Sequence, residues 1–246
     1  MRDALHAEWT KLRTLTSTGW LVGATAALTL GVSTAVVAAS RYSLDGGYQD
    51  LAKLALIGID LGQAVVVVLA VLAVSNEYGT GMMRTTLAAV PRRLVVLAAK
   101  AVNLVGLVVV SGVVAVAGCL LAGRLLLPGR GFTVVHGYTL LSLGQGPTVR
   151  AAVGSVLYLV LIALLSLGVA TAVRDSATAM GLVLGLLYLW PLFDQVVFSN
   201  PIWHRRLERI GPMTAGLAIQ ATTNLKALPI TPWAGLGVLA AWAGGA

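Results

Sequence analysis

The side chains able to do chemistry are few in this 246-residue chain, and most stand at the edges of long apolar runs. Asp60 and Gln63 lie one helical turn apart near one end of such a run, Asn103 lies within another, and Asp194-Gln195 closes a third. Polar groups at membrane depth are costly to bury and frequently mark the path of a substrate or ion. Asp60, Gln63 and Asn103 are therefore candidate substrate-path residues. Asp60 and Asp194 stand close to the ends of their runs, where burial costs less, so a structural role is the competing reading.

Other chemistries lack their residues. A phosphate loop needs Gly-Lys-Ser/Thr, but none of Lys11, Lys53, Lys100 and Lys226 is followed by Ser or Thr. Gly79-Thr-Gly-Met-Met-Arg-Thr85 has the glycines of such a loop without its lysine or a preceding strand. His6, His136 and His204 are scattered and no His-Glu-x-x-His occurs, so a zinc site is not expected. Cys119 is the only cysteine, which excludes an internal disulfide and fits a small buried hydrophobe. Gly31-Val-Ser-Thr-Ala35 imitates part of a nucleophile elbow, but inside an apolar run Ser33 has a packing role. The chain is read as a non-enzyme with no metal and no cofactor of its own.

The densest polar stretch is a cassette over 75–93, Ser75-Asn-Glu-Tyr-Gly-Thr-Gly-Met-Met-Arg-Thr-Thr-Leu-Ala-Ala-Val-Pro-Arg-Arg93. Thr80 can cap a short helix over 81–89, and Pro91 discourages its continuation through Val90. Gly79 and Gly81 permit a sharp entry. Glu77 and Arg84 are two turns apart and share a face if the region is helical. The expectation is a short polar element at the membrane surface, suited to docking something outside the bilayer; an ordinary tight loop is the alternative.

The surrounding elements must be membrane helices. Hydrophobic residues make up 58% of the chain and charged residues only 11%, against about 25% in soluble domains. Mean hydropathy is +0.89. Runs at 19–39, 56–74, 94–122, 151–173 and 177–198 are long enough to span as helices. A sixth, 232–246, is shorter than the ~20 residues a span needs and reads as a span cut short. The length of the first run, and the polar chain before it, favour an uncleaved span over a signal peptide.

Residues 2–16 place Leu5, Trp9 and Leu12 on one face, as in an amphipathic helix lying in the headgroup plane. Within 199–231, Trp203, Leu207 and Ile210 share a face amid Arg205, Arg206, Glu208 and Arg209, which predicts either a second interfacial helix or a solvated basic loop. The net charge of +8 falls in the gaps between runs, so lipid headgroups rather than nucleic acid are the expected anionic partners. The basic residues divide almost evenly between the two sides. Arg2, Lys11 and Arg13 ahead of the first run, against Arg41 behind it, favour an inside amino terminus.

The cassette resembles the first cytoplasmic loop of ATP-binding-cassette exporter permeases of the type-two membrane family. The resemblance rests on Glu77-Tyr78, the Gly79/Gly81 turn, Arg84-Thr85-Thr86 and Pro91-Arg92, followed by a span containing Ala99-Lys100. Glu8-Trp-Thr-Lys-Leu-Arg-Thr14 and Pro232-Trp-Ala-Gly-Leu236 agree with it.

It implies an all-α integral membrane protein: a six-transmembrane-helix bundle with both termini cytosolic, an N-terminal interfacial amphipathic helix and a short coupling helix. Glu77, Tyr78, Gly79, Gly81, Arg84 and Thr85 would then contact a separate cytosolic ATPase subunit, which holds the ATP and Mg. A second copy or a related permease would complete the transporter in a bacterial plasma membrane. Its cargo would be a drug, antibiotic, peptide or lipid-like molecule. The competing function class is a non-transporting membrane scaffold or sensor subunit.

Overall fold

Threonine and serine, rather than leucine, line the inner face of the first long helix. In the computed structural model, which describes residues 6, 9–10, 16–43, 48–79, 93–139, 141–142, 144–197 and 201–246, helix α1 spans Thr16–Ala39 and buries Thr18, Thr25, Thr29, Ser33 and Val37. The hydroxyls of Thr25 and Thr29 donate to the carbonyls four residues back, at 2.9 and 2.7 Å, so the stripe is small and internally satisfied. Lipid is as apolar as leucine, so helices associate through close backbone approach rather than a hydrophobic drive. The α1 stripe supplies the required flat surface.

The chain continues through α2 (Leu51–Ala55), α3 (Ile59–Gly79), α4 (Arg93–Leu126) and α5 (Gly146–Val173). Helix α6 (Ser176–Leu184) runs through a π-helical turn, Gly185–Leu189, into α7 (Trp190–Val197). Helices α8 (Pro201–Ile210), α9 (Pro212–Leu217) and α10 (Pro232–Gly245) complete the described order. Among the described residues there is no strand. Five segments among the described residues, Thr16–Ala39, Ile59–Asn76, Leu94–Leu126, Gly146–Val173 and Ser176–Phe193, are long and apolar enough to cross a membrane. Length and composition thus mark a multi-pass membrane protein.

Helices α1, α3, α4 and α5 pack on one another as the central bundle, and α10 lies against α5 and α9. The expected spans at 19–39, 94–122 and 151–173 extend to Thr16, Leu126 and Gly146 respectively. The run expected to start at 56 instead breaks over 56–58, which separates α2 from α3. The sixth expected span is a 14-residue helix, too short to count among the five.

Three glycine pairs at i,i+4 spacing occur in the sequence, and one of them seats a helix. A Cβ at Gly58 would meet Ser33 Oγ at 2.6 Å and collide with the Thr29 carbonyl, while one at Gly62 would strike the Thr29 hydroxyl. The Gly58 N–H also donates to Ser33 Oγ at 2.9 Å, which gives Ser33 its packing role. Gly19, Gly23 and Gly181 face open space, and Gly185 has an ordinary contact.

Of the amino-terminal segment, His6, Trp9 and Thr10 are helical and exposed; the rest of residues 2–15 lies outside the described residues. The helix expected near Trp203 is present as α8, with Arg205, Arg206 and Arg209 exposed. Its final carbonyls accept from two indoles, Trp190 Nε1 to Leu207 O at 3.2 Å and Trp242 Nε1 to Ile210 O at 2.9 Å. The chain after it is not a solvated loop. Helix α9 and the turn Ala218–Gln220 fold back into the bundle, burying Ile219 and Gln220. A Cβ at Gly154 of α5 would collide with Ile219.

Candidate functional site

Helix α3 has a cleft at one end and the cassette at the other. It begins at Ile59, with Asp60 beside the cleft, and ends at Gly79, within the cassette. Glu77, Tyr78 and Gly79 form the last helical turn of α3. Gly81, Arg84 and Thr85, with the coupling helix expected over 81–89, lie outside the described residues. Lys100, behind the cassette on α4, is buried, and its ammonium reaches the Ala73 carbonyl of α3 at 3.5 Å. This contact joins the two helices that bracket the cassette.

At the same end, α5 and α6 are joined by Arg174 and Asp175. Arg174 adopts φ 61 and donates its N–H to Ala170 O. Asp175 caps α6 by accepting from Thr178 N at 2.7 Å. Hydrogen bonds from Thr178, side chain first and then backbone, hold the exposed Asp175 carboxyl below its usual range.

The opposite end holds a cleft of about 840 Å³. Its polar lining includes Ser40, Asp50, Lys53, Asp60, Glu208 and Gln220. Leu54, Ile57, Leu217 and Leu228 supply apolar wall. Three of the chain's nine carboxylates thus meet one hollow in a molecule of net charge +8. Asp60 is half-buried, and Lys53 is the charge that acts on it. Among the described residues no group of three or more His, Cys, Asp or Glu side chains forms a metal site.

Asp50 is committed to structure. Its carboxylate caps α2 by accepting from Ala52 N and Lys53 N, each at 3.2 Å. It also accepts from Thr222 Oγ1 at 2.7 Å, Thr223 N at 2.9 Å and Thr222 N. Burial alone would raise the Asp50 carboxyl. The hydrogen bonds from Thr222, Thr223 and Lys53 outweigh it and place the group below its ordinary value. One carboxylate therefore pins the infolded segment to α2, forming one side of the cleft. Above it, Tyr42 stacks on His136 at 4.1 Å and Tyr48 on Tyr138 at 4.8 Å. Tyr138 Oη accepts from Gln49 N at 3.3 Å, anchoring the chain that leads to Asp50.

Gln63 sits one turn below Asp60 but is fully buried. Its Oε1 accepts from Tyr158 Oη, and its Nε2 donates to Asp60 O at 3.0 Å and Met213 Sδ at 3.3 Å. Tyr188 Oη donates to the same Asp60 carbonyl. This knot joins α3, α5, α9 and the π-helical turn, so its spending on internal partners makes Gln63 a positioning residue for Asp60. Asn103 is half-buried on α4 and does not line the cleft. The structure therefore brings Asp60 and Gln63 together and leaves Asn103 apart. Of Asp194 and Gln195, only the helical backbone lies within the described residues.

Sequence reasoning missed Lys53, Glu208 and Gln220 as cleft residues, and Tyr158 and Tyr188 as the supports of α3. The signal for the two tyrosines was polarity in an apolar run: Tyr158 and Tyr188 are hydroxyl-bearing side chains within otherwise largely apolar spans. A second hollow, about 470 Å³ between α4 and α5, is walled mainly by valine, alanine and leucine, with Arg124, Ser142 and Thr148 as its polar lining. No protein-family model and no curated protein matches this chain.

Proposed function

We propose that this chain is the membrane permease subunit of an ATP-driven exporter, moving its cargo by alternating access. The observation that carries the reading is the 75–93 cassette, a charged, glycine-punctuated stretch running from the last turn of α3 to the first residue of α4. The chain has no nucleotide-binding loop, so the energy would come from a separate cytosolic ATPase subunit holding ATP and Mg. In this reading 81–89 is the coupling helix, and Glu77, Tyr78, Gly79, Gly81, Arg84 and Thr85 form the docking surface.

The bundle is read as six-spanning, with α10 counted as the sixth, the amino terminus cytoplasmic and residues 2–16 lying in the interface. It pairs with a second copy or a related permease in a bacterial plasma membrane. Closure of the ATPase pair would draw the coupling helices together and rock the bundle. The outer cleft then serves as the exit portion of the cargo path, with Asp60 as its contact residue and Asn103 a candidate deeper in the path.

The test is reconstitution of the chain with candidate phosphate-loop ATPases in lipid vesicles. The reading requires one ATPase to co-purify and its hydrolysis to rise in the presence of the chain. Failure of every ATPase encoded beside this chain to associate would overturn it.

A further inference from the structure

The hollow between α4 and α5 opens on the flank of the bundle, in the half of the membrane away from the cassette. Helix α4 starts at Arg93, at the end of the cassette, and its apolar segment Leu94–Leu126 is 33 residues long. That is about 50 Å of helix, enough to cross the ~30 Å core and enter both headgroup layers. The hollow runs along its far part, from Val113 to Arg124, a rise of roughly 16 Å. This matches the depth of one leaflet of hydrocarbon. Val113, Leu121 and Val153 are exposed along it, whereas Val116, Leu120 and Leu141 are buried beneath. The hollow is therefore an apolar trough open toward lipid.

Polarity gathers at one end of the trough. Arg124 stands in the last turn of α4, Ser142 precedes α5, and Thr148 lies in the first turn of α5. Arg124 is exposed and makes no hydrogen bond or ion pair among the described residues. No described carboxylate lines the hollow to neutralise it. Thr148 is only 3% exposed, and its hydroxyl also has no hydrogen-bond partner among the described residues. Buried hydroxyls are normally paired, so Thr148 marks a place where a ligand oxygen is favoured. Gln145 gives α5 no side-chain cap, which leaves the positive end of that helix open here as well.

We propose that this trough holds one anionic diacyl phospholipid, its phosphate on the Arg124 guanidinium and one acyl chain along Val116 and Leu120. Guanidinium–phosphate pairs are strong and often bidentate, and basic pockets between membrane helices bind anionic headgroups. Thr148 donates to an ester carbonyl just below the phosphate. A second copy of the chain is the rival occupant. It would have to bring a carboxylate to Arg124, whereas the described carboxylates of this end, Asp50, Asp60 and Glu208, line the other cleft. The lipid site lies outside the proposed cargo path and does not depend on it.

The full chain in mild detergent is equilibrated with equimolar phosphatidylglycerol and phosphatidylcholine of the same acyl chains, and bound lipid is read by native mass spectrometry. The wild type should retain phosphatidylglycerol several-fold over phosphatidylcholine. Arg124→Gln should bring the ratio close to one, and Arg124→Lys should keep most of the preference. Arg41→Gln, which removes an exposed arginine of the same end that does not line the hollow, should leave the ratio unchanged. Ala117→Phe, at an exposed position of the lining, fills the trough and should lower retention of both lipids several-fold. Thr148→Val should lower both to a smaller extent. The wild-type ratio and Ala117→Phe keep the test decisive if Arg124→Gln fails to fold.

Equal retention of the two lipids by the wild type, or a preference unmoved by Arg124→Gln, would overturn the assignment. Displacement of the lipid by glycerophosphoglycerol, the soluble headgroup, would overturn it in favour of a site for free phosphate esters. Loss of a dimer rather than of lipid in Ala117→Phe would give the trough to a second copy and overturn it too. The assay contains neither ATPase nor nucleotide, so its outcome is separate from that of the coupling reading.

Discussion

Asp50 joins two elements that are distant in sequence, and removing it should open the cleft wall without unfolding the bundle. In Asp50→Ala, α2 loses its cap, worth about 1 kcal/mol. The infolded segment loses three further bonds, from Thr222 N, Thr222 Oγ1 and Thr223 N. Hydrogen bonds to charged groups contribute roughly 1.5–3 kcal/mol each, but members of one network do not add. Asp50 is also only partly buried, which lowers the worth of each bond. A net loss of about 3 kcal/mol for local opening follows, equivalent to about a hundredfold rise in the open population.

Ala221, 5% exposed and adjacent to the tie, reports that opening when replaced by cysteine in a Cys119→Ser background. Maleimide labelling of Ala221→Cys should accelerate about a hundredfold when Asp50→Ala is added. Asp50→Asn separates the two roles. Asparagine is as good a cap as aspartate, yet its amide cannot accept from all three donors on Thr222 and Thr223. It should therefore label nearly as fast as Asp50→Ala. Unchanged labelling in both variants would refute the tie. Because the folded Asp50 carboxyl is lowered, the tie is fully present above the unfolded value of about 3.9. It is lost as the pH falls through the lower folded value, so in the wild type the segment should open only below about pH 4, read as the onset of cleavage there by pepsin, a protease active in acid.

Tyr158→Phe leaves Gln63 Oε1 without its buried donor; a stability loss of about 1–3 kcal/mol should appear as a lower unfolding temperature in detergent. Gly62→Val should disrupt α1–α3 packing and reduce the yield of folded protein, whereas Gly23→Ala, facing open space, should leave it unchanged. Equal yields would remove the close-approach argument. With a cytosolic amino terminus and cassette, a cysteine at Thr80 in the Cys119→Ser background should resist an impermeant maleimide in intact cells while one at Gly137 labels. Labelling at Thr80 would reverse the topology.

The spans were legible because apolar runs of sufficient length have few alternatives to membrane helices, and the five long segments fall where hydropathy alone places them. Their contact faces were not legible. The inner face of α1 is marked by Thr18, Thr25, Thr29 and Ser33, the reverse of the leucine stripe that marks a core in water. Glycine spacing was too degenerate to single out Gly58 and Gly62 from two other pairs, because the difference lies in what each faces. Asp60 and Gln63 were visible as polar residues in an apolar run, but only the fold separates the residue facing the cleft from the one locked to Tyr158. Glu208 and Gln220 reach the site because α8, α9 and the following turn fold back, a long-range event with no local pattern.

The central claim is that the 75–93 cassette couples this chain to an ATPase it does not contain. The most direct test compares Glu77→Ala and Arg84→Ala with Arg92→Ala and Arg93→Ala, each in nanodiscs with the cognate ATPase. Removing one partner of a buried charged pair at an interface typically costs roughly 2–5 kcal/mol, while a tenfold change needs about 1.4. Association or transport-linked ATP hydrolysis should therefore fall tenfold or more in Glu77→Ala and Arg84→Ala with the bundle still folded. Arg92→Ala and Arg93→Ala, placed where lipid headgroups can satisfy the arginines, should have much smaller effects. Wild-type association and hydrolysis in both Glu77→Ala and Arg84→Ala would contradict the claim and make the cassette an ordinary loop.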